Sequence, residues 1–370
     1  MRTLITNGKI FTGEEIITSG NILVENGRVV GVTKETPPDA DLLDIEGMNI
    51  SAGWIDIQIN GGYDRYFSHM PDTFSLQDIY TACRDFATPY FLVTLISSPR
   101  EVILKAIEAT KAFMKEHPGI LGMHLEGPFI NPEKHGAHSR AVIRKPDDEE
   151  LLEIIEKGRG VIKMITVAPE CLSNRQLEWL LESDMIVSAG HSMMNYDETQ
   201  EAFSKGVRLI THLYNAMTPM GHRECGMTGA IFDNENVYAP IILDGGHCHY
   251  AAARVAYRQK TDKLILITDS SFLGRRKPRF NWEGLDIEMV NGYYRNREGQ
   301  LAGAAISIPE AVKNAKEHLN ISLQDAVEMA SSRVAGAISM QDKIGFIKPG
   351  YPATFTLFDD NLENVKLLEC

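Results

Sequence analysis

Four residues able to bind a metal or move a proton each stand at the end of a separate apolar run. They are Glu126 in GMHLEGPF, His191 in VSAGHS, His212 in LITHLYNAM and Asp269 in LILITDSS. Glu–His–His plus water makes a four-coordinate, zinc-like site with one open position. A metal there lowers the pKa of its water toward ~7 and polarises a carbonyl. Asp269 is then suited to take the water's proton and return it to a leaving group. Each residue alone has a plainer explanation. His124 and Glu126, two apart, share one side of a strand, and a polar pair there can be satisfied by its neighbours. A lone histidine after a strand is usually structural. The conjunction is harder to explain by packing, because burying such groups unpaired costs several kcal/mol each.

Side chains of this kind converge when the runs are parallel strands whose C-terminal ends share one mouth. From Ser51 onward eight apolar runs recur: WIDIQIN, YFLVTLIS, ILGMHLEG, VIKMITVAP, MIVSAGHS, LITHLYNA, YAPIILDG and LILITDS. Amphipathic stretches such as SLQDIYTACRDFA, DDEELLEIIEKG and YDETQEAFSKG lie between most of them. Eight strand–helix units predict an α/β chain with a (β/α)8 TIM-type barrel over 53–342. No GxGxxG turn follows the first run, which weighs against a dinucleotide-binding fold. Residues 1–52 read as strands punctuated by turns at Asn7-Gly8 and Asn26-Gly27, and Asn291-Gly292 marks a hairpin inserted after the eighth run. Helices are expected at about 308–319 and 323–339, the second opening at Ser322 with Asp325. Residues 343–370 return to strand character. The simplest pairing joins them to residues 1–52 in a small β-sandwich domain.

Composition narrows the function. The 370 residues are 44% hydrophobic and 24% charged, as in a soluble enzyme with a large core. A net charge of -13 argues against nucleic-acid and anionic-membrane partners. A small anionic substrate stays open, since a local basic pocket can oppose the overall sign. The five scattered cysteines lack CxxC spacing and suggest reduced thiols in a cytoplasm. The amino terminus does not read as a signal peptide, and no apolar run approaches the ~20 residues of a membrane span. The first barrel run ends Gln58-Ile59-Asn60, where many binuclear barrel hydrolases have HxH. Carboxamides are weak neutral ligands, so one metal per chain is expected.

In order along the chain come HLEGPF, AGHS, THLYNAM with a following HRE, DGGH, ITDS and QLAGA. This series resembles the N-acetylglucosamine-6-phosphate deacetylases of the amidohydrolase superfamily. The resemblance implies hydrolysis of the N-acetyl amide of N-acetylglucosamine 6-phosphate to glucosamine 6-phosphate and acetate. It implies one divalent metal per subunit on Glu126, His191 and His212. Zinc comes first, and iron, manganese and cobalt also accept such ligands. It assigns Asp269 as acid/base and gives His247 the acetamido carbonyl. Substrate contacts fall on Ala137, His138, Asn215, Ala216, Leu301, Ala302 and Gly303. A homodimer is implied in which Arg223 reaches the phosphate in the partner's site. The QxN form of the first strand matches the single-metal branch.

The chain departs from the family pattern in places. SSRVAGA replaces an NPA-type helix opening, PATFTLFD replaces a PADLVVLD-like run, and LENVKLLEC ends the chain without an obvious final hairpin. CGMTG replaces a PGLAG-like run just after Arg223 and Glu224, in the loop of the phosphate-binding arginine. The alternatives are N-acetylgalactosamine 6-phosphate or another N-acyl amino sugar as substrate, or a non-catalytic sugar-phosphate-binding relative. The basic run Arg275-Arg276-Lys277 with Arg279 reads as a solvated loop face.

Overall fold

The computed structural model describes residues 2–282, 285–297, 299 and 301–370. Gln300 of the QLAGA motif lies outside them. Seven short strands come first: β1 (Arg2–Thr6), β2 (Lys9–Phe11), β3 (Ile16–Ile17), β4 (Asn21–Glu25), β5 (Arg28–Thr33), β6 (Asp41–Asp44) and β7 (Asn49–Ala52). The eight apolar runs become β8 (Ile55–Ile59), β9 (Tyr90–Ile96), β10 (Ile120–Glu126), β11 (Ile162–Val167), β12 (Ile186–Ala189), β13 (Leu209–Ile210), β14 (Ala239–Ile242) and β15 (Leu264–Ile267). Every residue of β8, β9, β12, β13, β14 and β15 is buried. A parallel strand covered on both faces has no polar side to display, so it reads as a continuous apolar run.

These strands form a curled parallel sheet in an α/β fold. Strands β8 to β13 pair in chain order, and β14 pairs in parallel with β15. Ile210 N donates to Tyr238 O at 3.1 Å and Leu213 N to Pro240 O at 2.7 Å, which sets β13 against β14. Asp269 N donates to Gln58 O at 2.8 Å and Asn60 N to Ser270 O at 3.0 Å. The residues just after β15 therefore lie against the first strand of the series.

Between the strands run α1 (Thr73–Asp85), α2 (Arg100–Met114), α3 (Asp148–Gly158), α4 (Asn174–Glu182), α5 (Tyr196–Lys205), α6 (Gly226–Asp233) and α7 (Tyr250–Lys260). Side chains fix where several begin. Asp72 accepts from Ser75 N at 2.8 Å, and Asn195 with Glu198 completes a capping box at α5. After β15 come β16 (Arg279–Trp282), β17 (Leu285–Val290) and β18 (Tyr293–Asn296), then α8 (Ile308–His318), α9 (Leu323–Glu328) and α10 (Ser332–Ala337). The helix expected over 323–339 is two helices. Ser331 leaves helical geometry at φ -134° and ψ -93°, and its hydroxyl donates back to Val327 O at 2.8 Å.

The chain ends in β19 (Thr354–Phe358) and β20 (Val365–Glu369). One sheet runs β5-β4-β1-β6 and another β20-β19-β7-β2-β3, so the last strands share a sheet with the first ones. Ile5, Ile10, Ile22, Val24, Ile50 and Phe355 form a core between them, separate from the large core that holds Trp54. Asn26-Gly27 turns a hairpin between β4 and β5, with φ 50° and 75°, and Asn291-Gly292 does the same between β17 and β18. Asn7-Gly8 does not. It turns the chain from β1 in one sheet to β2 in the other, because β1 pairs with β4 and β6 while β2 pairs with β7 and β3. A final hairpin does exist, since β20 pairs antiparallel with β19.

Candidate active site

Glu126 ends β10, while His191, His212 and Asp269 stand two residues past β12, β13 and β15. The last three adopt left-handed backbone, with φ 47°, 30° and 49°. That conformation is costly for a side chain other than glycine and persists where the surroundings over-determine it. Gly190 permits the approach at His191: a Cβ there would lie 2.7 Å from Thr211 Cβ.

The three candidate ligands meet. Glu126 Oε1 lies 3.2 Å from His191 Nε2 and 3.1 Å from His212 Nε2, and the two Nε2 atoms are 3.1 Å apart. His191 Nδ1 donates to Lys134 O at 2.7 Å and His212 Nδ1 to Asn215 O at 3.2 Å. Carbonyl oxygens only accept, so each neutral ring carries its proton on Nδ1 and turns a lone pair inward. A carboxylate and two imidazole lone pairs within 4.8 Å of one another call for a cation at their centre. The donor set fits a divalent metal.

Asp269 faces this triad with its carboxylate tied on one side. Its Oδ1 accepts from Gln58 Nε2 at 3.1 Å and from Asn60 Nδ2 at 2.9 Å, and the same Gln58 amide reaches Glu126 Oε1 at 3.1 Å. Burial first, and then the Glu126 charge, push the Asp269 pKa up to about 6. Gln58 and Asn60, absent as good metal ligands, are thus donors that aim the acid/base candidate.

A cavity of about 410 Å³ covers these groups. Ala137, His138, Asn215, Ala216, His247, Leu301, Ala302 and Gly303 all line it. His138 Nδ1 accepts from Ser97 N at 3.2 Å, which leaves its proton on Nε2, and burial lowers its pKa to about 3. His247 Nδ1 donates to Asp244 Oδ2 at 2.7 Å, so Nε2 serves the cavity. Asp244 also accepts from the His247 and Gly246 amides and so fixes the whole turn, a role the DGGH pattern did not disclose. Gly303 has φ 72°, and a Cβ there would strike Ser271 Oγ at 2.2 Å. Arg223 is exposed and does not line the cavity of the single chain.

The plainer explanations hold where they should. His124 belongs to a buried polar layer: its Nε2 meets Thr166 Oγ1 at 2.8 Å, and that hydroxyl meets Thr211 Oγ1 at 2.7 Å. Burial lowers the His124 pKa to about 4. The basic run is spent locally. Arg275 pairs with Glu310 at 2.5 Å, Arg276 lies over the Tyr63 ring at 3.8 Å, and Arg279 pairs with Asp286.

Comparison with known proteins identifies the family. The amidohydrolase family model matches residues 49–369. An N-acetylgalactosamine-6-phosphate deacetylase of Shewanella sp. (strain ANA-3) is 34% identical, covering 95% of this chain and 92% of the relative. An N-acetylglucosamine-6-phosphate deacetylase of Haemophilus influenzae is 31% identical, covering 98% and 97%. The crystal structure of an N-acetylglucosamine-6-phosphate deacetylase from Pasteurella multocida superposes with a TM-score of 0.94 at 30% identity, covering 99% of this chain and 97% of that one. The match over nearly the full length, together with a Glu–His–His cluster under one cavity, makes this chain a member of the amidohydrolase family.

Proposed function

We propose that the chain hydrolyses the N-acetyl amide of N-acetylglucosamine 6-phosphate, giving glucosamine 6-phosphate and acetate. The observation that carries this reading is the meeting of Glu126, His191 and His212 under the same cavity as a tethered Asp269. Glu126, His191 and His212 would hold one divalent ion, zinc first. Such an ion supplies a Lewis acid and a more acidic water. With Oδ1 engaged by Gln58 and Asn60, Asp269 uses Oδ2 to take a proton from water and deliver it to the departing nitrogen. As an imidazolium, His247 donates Nδ1–H to Asp244, which holds it in place, and Nε2–H to the acetamido carbonyl. Asn215, Ala216, Ala137, His138 and the Leu301–Gly303 segment shape the space for the sugar. A partner subunit's copy of the Arg223 loop brings charge to the phosphate, which accords with its absence from the cavity of one chain.

A second substrate, N-acetylgalactosamine 6-phosphate, is favoured by the 34% identity to the Shewanella enzyme. The frame we assign is a closed (β/α)8 barrel over 53–342 with a small β domain from 1–52 and 343–370. The bonds that join the end of β8 to the turn after β15, from Asp269 N to Gln58 O and from Asn60 N to Ser270 O, and the separate core of the flanking sheets support it. Five free cysteines suit the reducing cytoplasm, and no helix among the described residues is long and apolar enough to cross a membrane. Acetate release on both epimeric N-acetylhexosamine 6-phosphates and their unphosphorylated forms tests the function. Release from neither phosphorylated sugar by metal-saturated protein overturns it. Elemental analysis should give about one metal per chain, and two tightly held equivalents would contradict the single-metal assignment.

A further inference from the structure

The cavity is rich in negative charge. Glu126 is buried in it, Asp269 faces it half-buried, and Glu133 sits at its wall. A sugar phosphate entering there needs more than the cation at the triad. Lys134 is the one lysine or arginine among the described residues lining the cavity. It is half-buried, and its position is set from both ends. The backbone carbonyl takes the His191 Nδ1 proton at 2.7 Å, and the ammonium donates to Met217 O at 3.0 Å. Met217 follows Asn215 and Ala216, which form the facing wall. The ammonium is therefore held between the two loops, with further N–H groups left to donate.

We propose that Lys134 binds the substrate phosphate from within the same chain and sets the preference for phosphorylated sugars. This rests on the deacetylase reading for its substrate class. A lysine suits the task as a compact charge with several donors, and a partly screened wall position keeps its contribution that of one charge-assisted hydrogen bond. The carbonyl that steadies His191 belongs to the backbone, so side-chain replacement leaves the triad's support in place.

The test compares Lys134→Met and Lys134→Arg with the wild type, each metal-saturated. For Lys134→Met, kcat/KM on the phosphorylated sugar should fall roughly ten- to a hundredfold, through KM more than kcat. The unphosphorylated sugar should change by less than about twofold, and metal content should stay the same. Lys134→Arg should recover most of the loss. Calorimetric titration with inorganic phosphate and glucosamine 6-phosphate should show weaker binding to Lys134→Met, with glucosamine binding unchanged. Equal losses on both sugars, or loss of metal, would make Lys134 a strap between loops and overturn the proposal. A wild-type chain that releases no acetate removes the deacetylase reading alone. The phosphate titration still decides Lys134, and equal phosphate affinity in wild type and Lys134→Met overturns its role.

Discussion

Two carboxamides hold the carboxylate of Asp269 by hydrogen bonds to the same oxygen. The sequence shows Gln58 and Asn60 as poor metal ligands, which is a statement about what they lack. Their donor role depends on β8 lying beside the turn after β15, a register that no local pattern encodes. Asp269, His191 and His212 were legible because a polar residue that ends an apolar run is easily seen. Their left-handed backbone was not, since nothing in residue type announces it. Lys134 closes a single 3-10 turn, Pro132–Lys134, too short to show periodicity, and Asp244 acts through His247, so neither offered a signal. Asp269→Asn keeps the shape but removes proton acceptance. Turnover should fall by ~10²–10⁴ with metal content unchanged. Near-normal turnover in that variant would assign the proton transfer to another group.

The join between β8 and the end of β15 depends on a further buried carboxylate. Asp56 accepts from Gln58 N at 3.1 Å, Thr268 N at 3.3 Å and Thr268 Oγ1 at 2.6 Å. It thereby ties the residues preceding Asp269 to the strand that carries Gln58 and Asn60. The eight apolar runs made these strands readable, but a lone Asp inside WIDIQIN looks like a defect until its partners across the sheet are known. Burial pushes the Asp56 pKa up to about 7, well above the usual carboxylate range, and the three hydrogen bonds only partly oppose that. A raised acid means the folded chain keeps a proton that the unfolded chain releases. Stability should therefore fall as pH rises from about 4 to about 7 and level off above, with a slope of at most ~1.4 kcal/mol per pH unit. Asp56→Asn retains an acceptor for the two amides and can donate to Thr268 Oγ1. Urea unfolding of this variant should lose that pH dependence, and an unchanged slope would show that Asp56 does not titrate there. Asp56→Ala leaves two buried amides unsatisfied and should cost about 1–3 kcal/mol per amide at any pH.

A chain at -13 net charge must gather positive charge locally to hold a phosphate. In one chain the cavity wall offers Lys134, while Arg223 stands exposed on a loop outside it. Arginine's planar fork can make two charge-assisted hydrogen bonds to phosphate oxygens, which suits it to arrive from a second subunit. If Arg223 reaches the partner's site as proposed, phosphate recognition and dimerisation are one event. Arg223→Ala should lower kcat/KM for the phosphorylated sugar by ~1.5–3 kcal/mol, the range of a lost charged hydrogen bond, and leave the unphosphorylated sugar nearly unaffected. Mixed dimers separate the two arrangements. One subunit carries Arg223→Ala and the other Asp269→Asn. If the arginine acts across the interface, the subunit with intact Asp269 receives its partner's intact Arg223, and one good site per dimer survives. If it acts within its own chain, each site carries one defect and the mixed dimer is as poor as its parents. About half of wild-type activity supports the shared site. Parental activity in a verified mixed dimer returns Arg223 to its own chain, and equal losses of Arg223→Ala on both sugars remove it from phosphate binding.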